Sequence, residues 1–167
     1  MAHEPLIDLS TVDLTHVAAD RTELDTYLEQ RGTFTMVDYL AHIDKENGVL
    51  VGVKAIKEDD WWAKDHVPKR AMFPGALMIE TAAQIASYDY SKHRLSGDVT
   101  RFVGFGGVDD CRFRGIVAPP CTLIITVKHM RAGSRMFRYQ SQGFVQQDGV
   151  ISESRAFEAT VLGVLIG

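Results

Sequence analysis

Residues 74–92, PGALMIETAAQIASYDYSK, decide the fold. Pro74 suits a first helical turn, where its missing N–H costs nothing, and after Gly75 no glycine or proline interrupts the segment. Leu77, Met78, Ile79, Ala82, Ala83, Ile85 and Ala86 cover most of the circumference, which predicts a helix buried on nearly all sides. One polar stripe crosses that apolar cylinder. Glu80, Gln84, Ser87 and Ser91 stand at i, i+4, i+7 and i+11, a single face at 3.6 residues per turn.

Strand-like alternation flanks this helix on both sides. Upstream, residues 34–44 (FTMVDYLAHID) and 49–57 (VLVGVKAIK) are joined by Lys45-Glu46-Asn47-Gly48 and predict a hairpin. Downstream, residues 123–129, 136–146 and 150–162 carry β-branched or aromatic residues at every second position, with turn signals at Ala132-Gly133-Ser134 and Gln147-Asp148-Gly149. Residues 101–108 and 112–117 read as two shorter strands, completing an antiparallel meander. Near the start, Asp20-Arg21-Thr22-Glu23 opens a short helix with Leu24, Tyr27 and Leu28 on one side and Gly32 as its stop. A lone buried helix between strands needs a sheet that curls around it, so the fold class is α+β. No repeat or low-complexity linker divides the chain. Residues 1–26 read as a lead-in and 27–167 as a single domain.

Composition narrows the function. The 167 residues are 46% apolar and 24% charged, with a net charge of -4; a domain of this size buries roughly 70% of its unfolded surface without needing a metal or disulfide. The acidic balance argues against nucleic acid as a partner, since phosphate binding draws on a basic excess. The longest apolar run, Ala159 to Ile166, is far below the roughly 20 residues of a membrane span. The start, MAHEPLIDLS, shows no signal peptide, and the expected location is cytoplasmic. Cys111 and Cys121 form no CxxC and read as reduced, semi-buried thiols. His3, His16, His42, His66, His93 and His129 are scattered, without metal-ligand spacing. No metal or cofactor is expected.

Three residues stand out chemically. Glu80 lies on a core helix with no Lys or Arg within a helical turn, and burial without a cationic partner favours the neutral acid, the form a general acid requires. The plain alternative is a Glu satisfied by Gln84 and water. His66 lies in WWAKDHVPKRAMFPG, an aperiodic segment leading into the helix, where a base acting near neutral pH has a natural place; a lone loop histidine is otherwise a surface residue. Gly75 opens the helix, where free N–H groups favour negative charge and a glycine admits close approach, although an ordinary helix start has the same form. The run Gly104-Phe105-Gly106-Gly107 precedes no helix and matches no nucleotide fingerprint; strand glycines there permit close packing.

Residues 66–84, HVPKRAMFPGALMIETAAQ, resemble without a gap the active-site block of the hot-dog-fold (3R)-3-hydroxyacyl-acyl-carrier-protein dehydratases of fatty-acid synthesis. That pattern has a histidine, a Pro-Gly pair, a second Pro-Gly opening the central helix, then a Glu and, four residues on, a Gln. Phe34 to Asp38 is similar to the family's early strand ending in Val-Asp, and Phe105 to Val117 to its Gly-hydrophobic-Asp followed by Arg-Phe. The likeness spans about residues 27–160. It departs at Lys69, where the pattern has Gly, at Ala71, where it has Pro, and at Pro119-Pro120-Cys121, where it has Pro-Gly-Asp.

The resemblance implies a curved antiparallel sheet around one helix, with His66 as the base at C2 and Glu80 as the acid at the 3-hydroxyl. Gly75 would donate its N–H to the thioester carbonyl and Gln84 would orient Glu80. Met72, Phe73, Leu77 and Phe105 are the expected acyl tunnel. Lys69, Arg70, Arg112 and Arg114, with Lys64 nearby, are the expected entrance for an acidic acyl carrier protein; their alternative is solvated surface. The substrate would be carrier-linked, or a CoA thioester. The family draws the His and the Glu of one site from different subunits, so a homodimer, or a trimer of dimers, is implied. Glu rather than Asp at position 80 points to the plain dehydratase branch instead of the dehydratase-isomerase branch. Two rival readings are a hot-dog thioesterase, in which Glu80 activates water, and a non-catalytic acyl-binding subunit.

Overall fold

The computed structural model describes residues 4–96, 98 and 100–166; Met1 to His3 of the lead-in lie outside them. Helix α1 (Arg21–Tyr27) is followed by strands β1 (Tyr39–Asp44) and β2 (Val49–Ile56), then by helix α2 (Gly75–Asp89). The remaining strands are β3 (Phe102–Phe113), β4 (Cys121–Ala132), β5 (Met136–Gln147), β6 (Val150–Ile151) and β7 (Phe157–Ile166). They form an antiparallel sheet in the order β1-β2-β4-β5-β7-β3, with β6 paired to β5. This is the α+β hot-dog architecture: the sheet curls round α2. Among the described residues no helix is long and apolar enough to cross a membrane.

The helix and the sheet share one core. Ile85 of α2 presses on β2 at Gly52, where a Cβ would stand 2.4 Å from its side chain, and Met78, Ala82 and Ala86 are buried with Leu123, Ile125, Phe137 and Phe157. The lead-in joins that core through Ala19 and Leu24. It is also tied to β5, where Gln142 accepts from Leu6 N–H and donates to Glu4 C=O.

Several boundaries differ from the sequence expectation. Asp20 caps α1 by accepting from Glu23 N–H at 2.9 Å, but the helix ends where Leu28 turns extended and becomes buried, before Gly32. Gly32–Phe34 is a short 3-10 turn, and β1 begins only at Tyr39, so residues 34–38 are not a strand. The two strands expected at 101–108 and 112–117 are one, β3, with irregularities at Phe105/Gly107 and Asp109/Arg112 that broke its alternation; residues 114–117 are irregular. Residues 150–162 contain a break at 152–156 that separates β6 from β7.

The central helix, expected to reach about Lys92, is α-helical to Asp89 and closes with one wide π turn, Tyr90–Arg94. That turn closes on a fully buried carboxylate, Asp89. Asp89 accepts from the Tyr139 hydroxyl, pairs with His93 Nδ1 at 2.7 Å and with Arg94 Nε at 3.2 Å, and the wide turn brings His93 and Arg94 onto it. Tyr90 stacks on Phe137 with ring centroids 3.7 Å apart.

Candidate active site

The N-terminus of α2 is built without a side-chain cap. Pro74 is the extended N-cap residue, and its carbonyl accepts from both Leu77 and Met78 N–H, at 3.0 and 3.1 Å. Gly75 and Ala76 therefore contribute first-turn N–H groups with no partner within the helix. At Gly75 a Cβ would sit 2.7 Å from the Phe113 ring, so only glycine lets the β3 phenyl lie against the helix start.

His66 is fixed from the loop before this terminus. Its backbone N–H donates to Trp62 C=O at 2.9 Å, and its Nδ1 lies 3.0 Å from Met72 C=O. A carbonyl only accepts, so Nδ1 carries the hydrogen in this contact and Nε2 is the ring nitrogen left for another partner. His66 is exposed and shares a concavity of about 560 Å³ with Met72, Phe73, Gly75, Phe113 and Arg114.

Glu80 sits one turn further along α2, half-buried, with Gln84 Nε2 donating to its Oε1 at 2.8 Å. Gln84 is held at both ends of its amide: Nε2 also donates to Phe34 C=O at 2.9 Å, and Oε1 accepts from Met36 N–H at 3.0 Å. Burial raises the Glu80 carboxyl above the usual range, and the Gln84 donor opposes it in part. Nothing cationic enters that balance. Glu80, Gln84 and Ser87 line a narrow cavity of about 40 Å³ against Gln30, Val103, Gly104 and Phe105.

His66 and Glu80 thus belong to two concavities that share no residue within one chain. Of the four expected tunnel residues, Met72 and Phe73 line the His66 side, Phe105 lines the Glu80 side, and Leu77 lies in the core and lines neither. Lys64, Lys69, Arg70 and Arg112 are exposed. Arg114 lines the His66 concavity but is ion-paired with Glu158, which Arg155 also holds.

Four contributors escaped sequence reasoning. Gln30 projects from the segment after α1 into the Glu80 cavity, and its Oε1 is buried without a hydrogen-bond partner among the described residues. Phe34 and Met36 act through their backbone, which no side-chain pattern reports. The available signal was Gln84 itself, since a buried amide needs partners for both its oxygen and its nitrogen. Phe113 seals Gly75 from a strand more than thirty residues downstream. The two cysteines are free and half-buried, and burial pushes both thiols up.

Residues 28–154 match the model of the FabA-like domain. A 3-hydroxyacyl-[acyl-carrier-protein] dehydratase FabZ from Paramagnetospirillum magneticum is 29% identical over 143 residues, covering 86% of this chain and 87% of that protein. The FabZ of a Bradyrhizobium species is 32% identical over 133 residues, covering 79% and 85%. Among solved structures, the dehydratase heterocomplex ApeI:P from Xenorhabdus doucetiae superposes with a TM-score of 0.65 at 11% identity, covering 86% of this chain and 91% of that one. A mutant of the thioesterase PA1618 from Pseudomonas aeruginosa reaches 0.62 at 9% identity, covering 89% and 95%. At such identities the structures share a fold and nothing finer. The sequence matches go further, because they run through the block from His66 to Gln84 and across most of the sheet: this chain belongs to the FabA-like family.

Proposed function

We propose that the protein dehydrates (3R)-3-hydroxyacyl thioesters carried on acyl carrier protein to trans-2-enoyl thioesters, in fatty-acid or related lipid synthesis. The observation that carries this reading is an acid and a base, each held by its own hydrogen bond, bordering one helix. Glu80 is a carboxyl group that burial keeps towards its neutral form, and the Nδ1–H of His66 is spent on Met72 C=O, which leaves Nε2 as the nitrogen that can act as a base. Elimination needs both at once. Nε2 of His66 takes the C2 proton, Glu80 gives its proton to the 3-hydroxyl as the C3–O bond breaks, and water leaves as the C2–C3 double bond forms. The Gly75 N–H receives the charge that develops on the thioester carbonyl, as oriented N–H donors do.

A homodimer completes the site. The β3 edge of the sheet is unpaired in one chain, and Phe102, Phe105, Val108 and Phe113 are exposed along it. A twelve-residue edge that exposes four apolar side chains is a template for another strand. A second copy packed there under two-fold symmetry supplies what one chain keeps apart: His66 from one subunit faces Glu80 from the other. Lys69, Arg70 and Arg112, all exposed, offer the positive rim that an acidic carrier protein needs.

The test is turnover of 3-hydroxyacyl thioesters, carrier-linked and CoA-linked, to 2-enoyl thioesters. His66→Ala and Glu80→Gln each lower kcat by about 10²–10⁴, the scale of one acid or base. An inactive wild type, or full rate in both variants, overturns the reading. Release of free acid with little dependence on His66 replaces it with thioester hydrolysis.

A further inference from the structure

Gln30 stands between two cavities. The one that holds Glu80 is lined by Gln30, Ser87 and Val103 together with Phe105 and Leu162. A second cavity of the same size, about 40 Å³, opens beside Ser91, Arg101 and Tyr27, and Gln30, Ser87 and Val103 line it too. Residues that line both form the wall that divides them. The two cavities follow one course: Glu80, Ser87 and Ser91 lie in order down the polar stripe of the central helix, and the facing chain runs the other way, with Phe105 beside the first cavity and Arg101 and Phe102 beside the second.

Of the three wall residues, Ser87 is short and belongs to α2, and Val103 is fixed in β3 by its pairing with Leu165. Gln30 comes from outside helix and sheet, in the segment after α1, and its long side chain fills the gap between them. Its Oε1 is buried with no hydrogen-bond partner among the described residues. Packing therefore holds that end of the amide in the wall, and a smaller side chain would open it.

We propose that Gln30 is the stop at the end of the acyl site and makes short-chain 3-hydroxyacyl thioesters the preferred substrate class. The direction rests on the reaction proposed above: with the 3-hydroxyl at Glu80 and the thioester towards His66, the tail beyond C3 enters the Glu80 cavity and runs towards Gln30. A cavity of about 40 Å³ has room for about three water-sized groups, which accommodates C4 to C6 of a hexanoyl chain. A longer tail meets the Gln30 amide. Beyond it stand Ser87, Ser91 and Arg101, and an apolar chain laid over such groups takes their water without offering them a hydrogen bond.

Two readouts on the full-length protein keep the stop and the reaction apart. Turnover is compared for 3-hydroxyhexanoyl-CoA and 3-hydroxydecanoyl-CoA, and calorimetric binding for hexanoyl-CoA and decanoyl-CoA, which have no hydroxyl to lose. Wild type is expected to favour the hexanoyl chain at least about tenfold in both kcat/KM and Kd. Gln30→Ala is expected to raise the decanoyl-to-hexanoyl ratio at least about tenfold in both readouts, and Gln30→Met, close in volume, to leave it at the wild-type value. A wild type that handles the two lengths equally overturns the stop. So does a ratio that Gln30→Ala leaves in place or that Gln30→Met moves as far. If nothing is dehydrated but hexanoyl-CoA binds tighter and Gln30→Ala shifts the ratio, the reaction fails and the stop stands; absence of both turnover and binding overturns both.

Discussion

Gln84 can meet Glu80 in only one way. Its Nε2 lies 2.8 Å from Glu80 Oε1, and its own oxygen is already occupied by Met36 N–H, so the amide cannot rotate to offer an acceptor. Glu80 Oε1 must therefore accept, which directs the acidic proton to Oε2. A buried amide clamped by backbone at both ends thus sets which oxygen of the carboxyl faces outward to react.

That clamp has a pH signature. The Gln84 donor favours the ionised carboxylate and partly offsets the effect of burial. In Gln84→Met the donor is gone, the Glu80 carboxyl rises further, and the alkaline limb of the pH–kcat profile moves to higher pH while kcat falls about tenfold or more through lost orientation. A lower rate with an unmoved limb would mean that Gln84 only supports the helix.

Glu80 also makes the fold less stable at neutral pH. Its folded pKa is raised above the ordinary 4.5, so the native state binds the proton more tightly than the unfolded chain. Its favourable contribution is present below about 4.5 and is lost as pH rises through the folded value. Glu80→Gln carries no charge to bury and is expected to melt at a higher temperature than wild type at pH 7.5, with the difference closing near pH 4. Calorimetric melts at the two pH values measure this directly, and the variant is less active where it is more stable.

At the far end of α2, Asp89 is structural. Its carboxylate, with no exposed surface, holds Tyr139, His93 and Arg94. Asp89→Ala strands Arg94 and His93 beside an apolar core and costs about 3–5 kcal/mol, the scale of breaking a buried ion pair. Tyr139→Phe removes one hydrogen bond and costs about 1–3 kcal/mol. Urea denaturation reads both, and loss of the π turn in Asp89→Ala shows as lost helical signal.

The parts of the fold legible in sequence were those that a local period reports. The apolar cylinder of residues 77–86 and the alternation of residues 136–146 each carry their own signal, and together they demand a sheet around a helix. Boundaries set by tertiary contacts did not show. The π turn closes on Asp89, which is held by Tyr139 fifty residues away, and β3 looked like two strands because its irregularities shift the inside-outside pattern midway. At the site, Glu80 and Gln84 were visible as polar residues on an apolar helix. Gln30, Phe34 and Met36 were not, since they act from a different segment and two of them through backbone atoms.

The exposed β3 edge tests the assembly. Val108→Lys places a charge among the exposed apolar side chains of that edge; a lysine on an edge strand opposes strand addition. Light scattering is expected to give the mass of one chain, 18.6 kDa, with unchanged circular dichroism and dehydration reduced at least about 100-fold. A dimeric Val108→Lys protein with full activity would place the interface elsewhere.

The central claim is that each site joins His66 of one chain to Glu80 of another, and mixing two dead proteins tests it most directly. His66→Ala and Glu80→Gln homodimers each lack a working site, but a mixed dimer holds one site with both native residues and one with neither. After subunit exchange at equal concentrations, random pairing under two-fold symmetry predicts recovery of about a quarter of the wild-type rate. No recovery from a mixture shown by mass to contain mixed dimers would mean that one chain carries both groups, and would contradict the shared site.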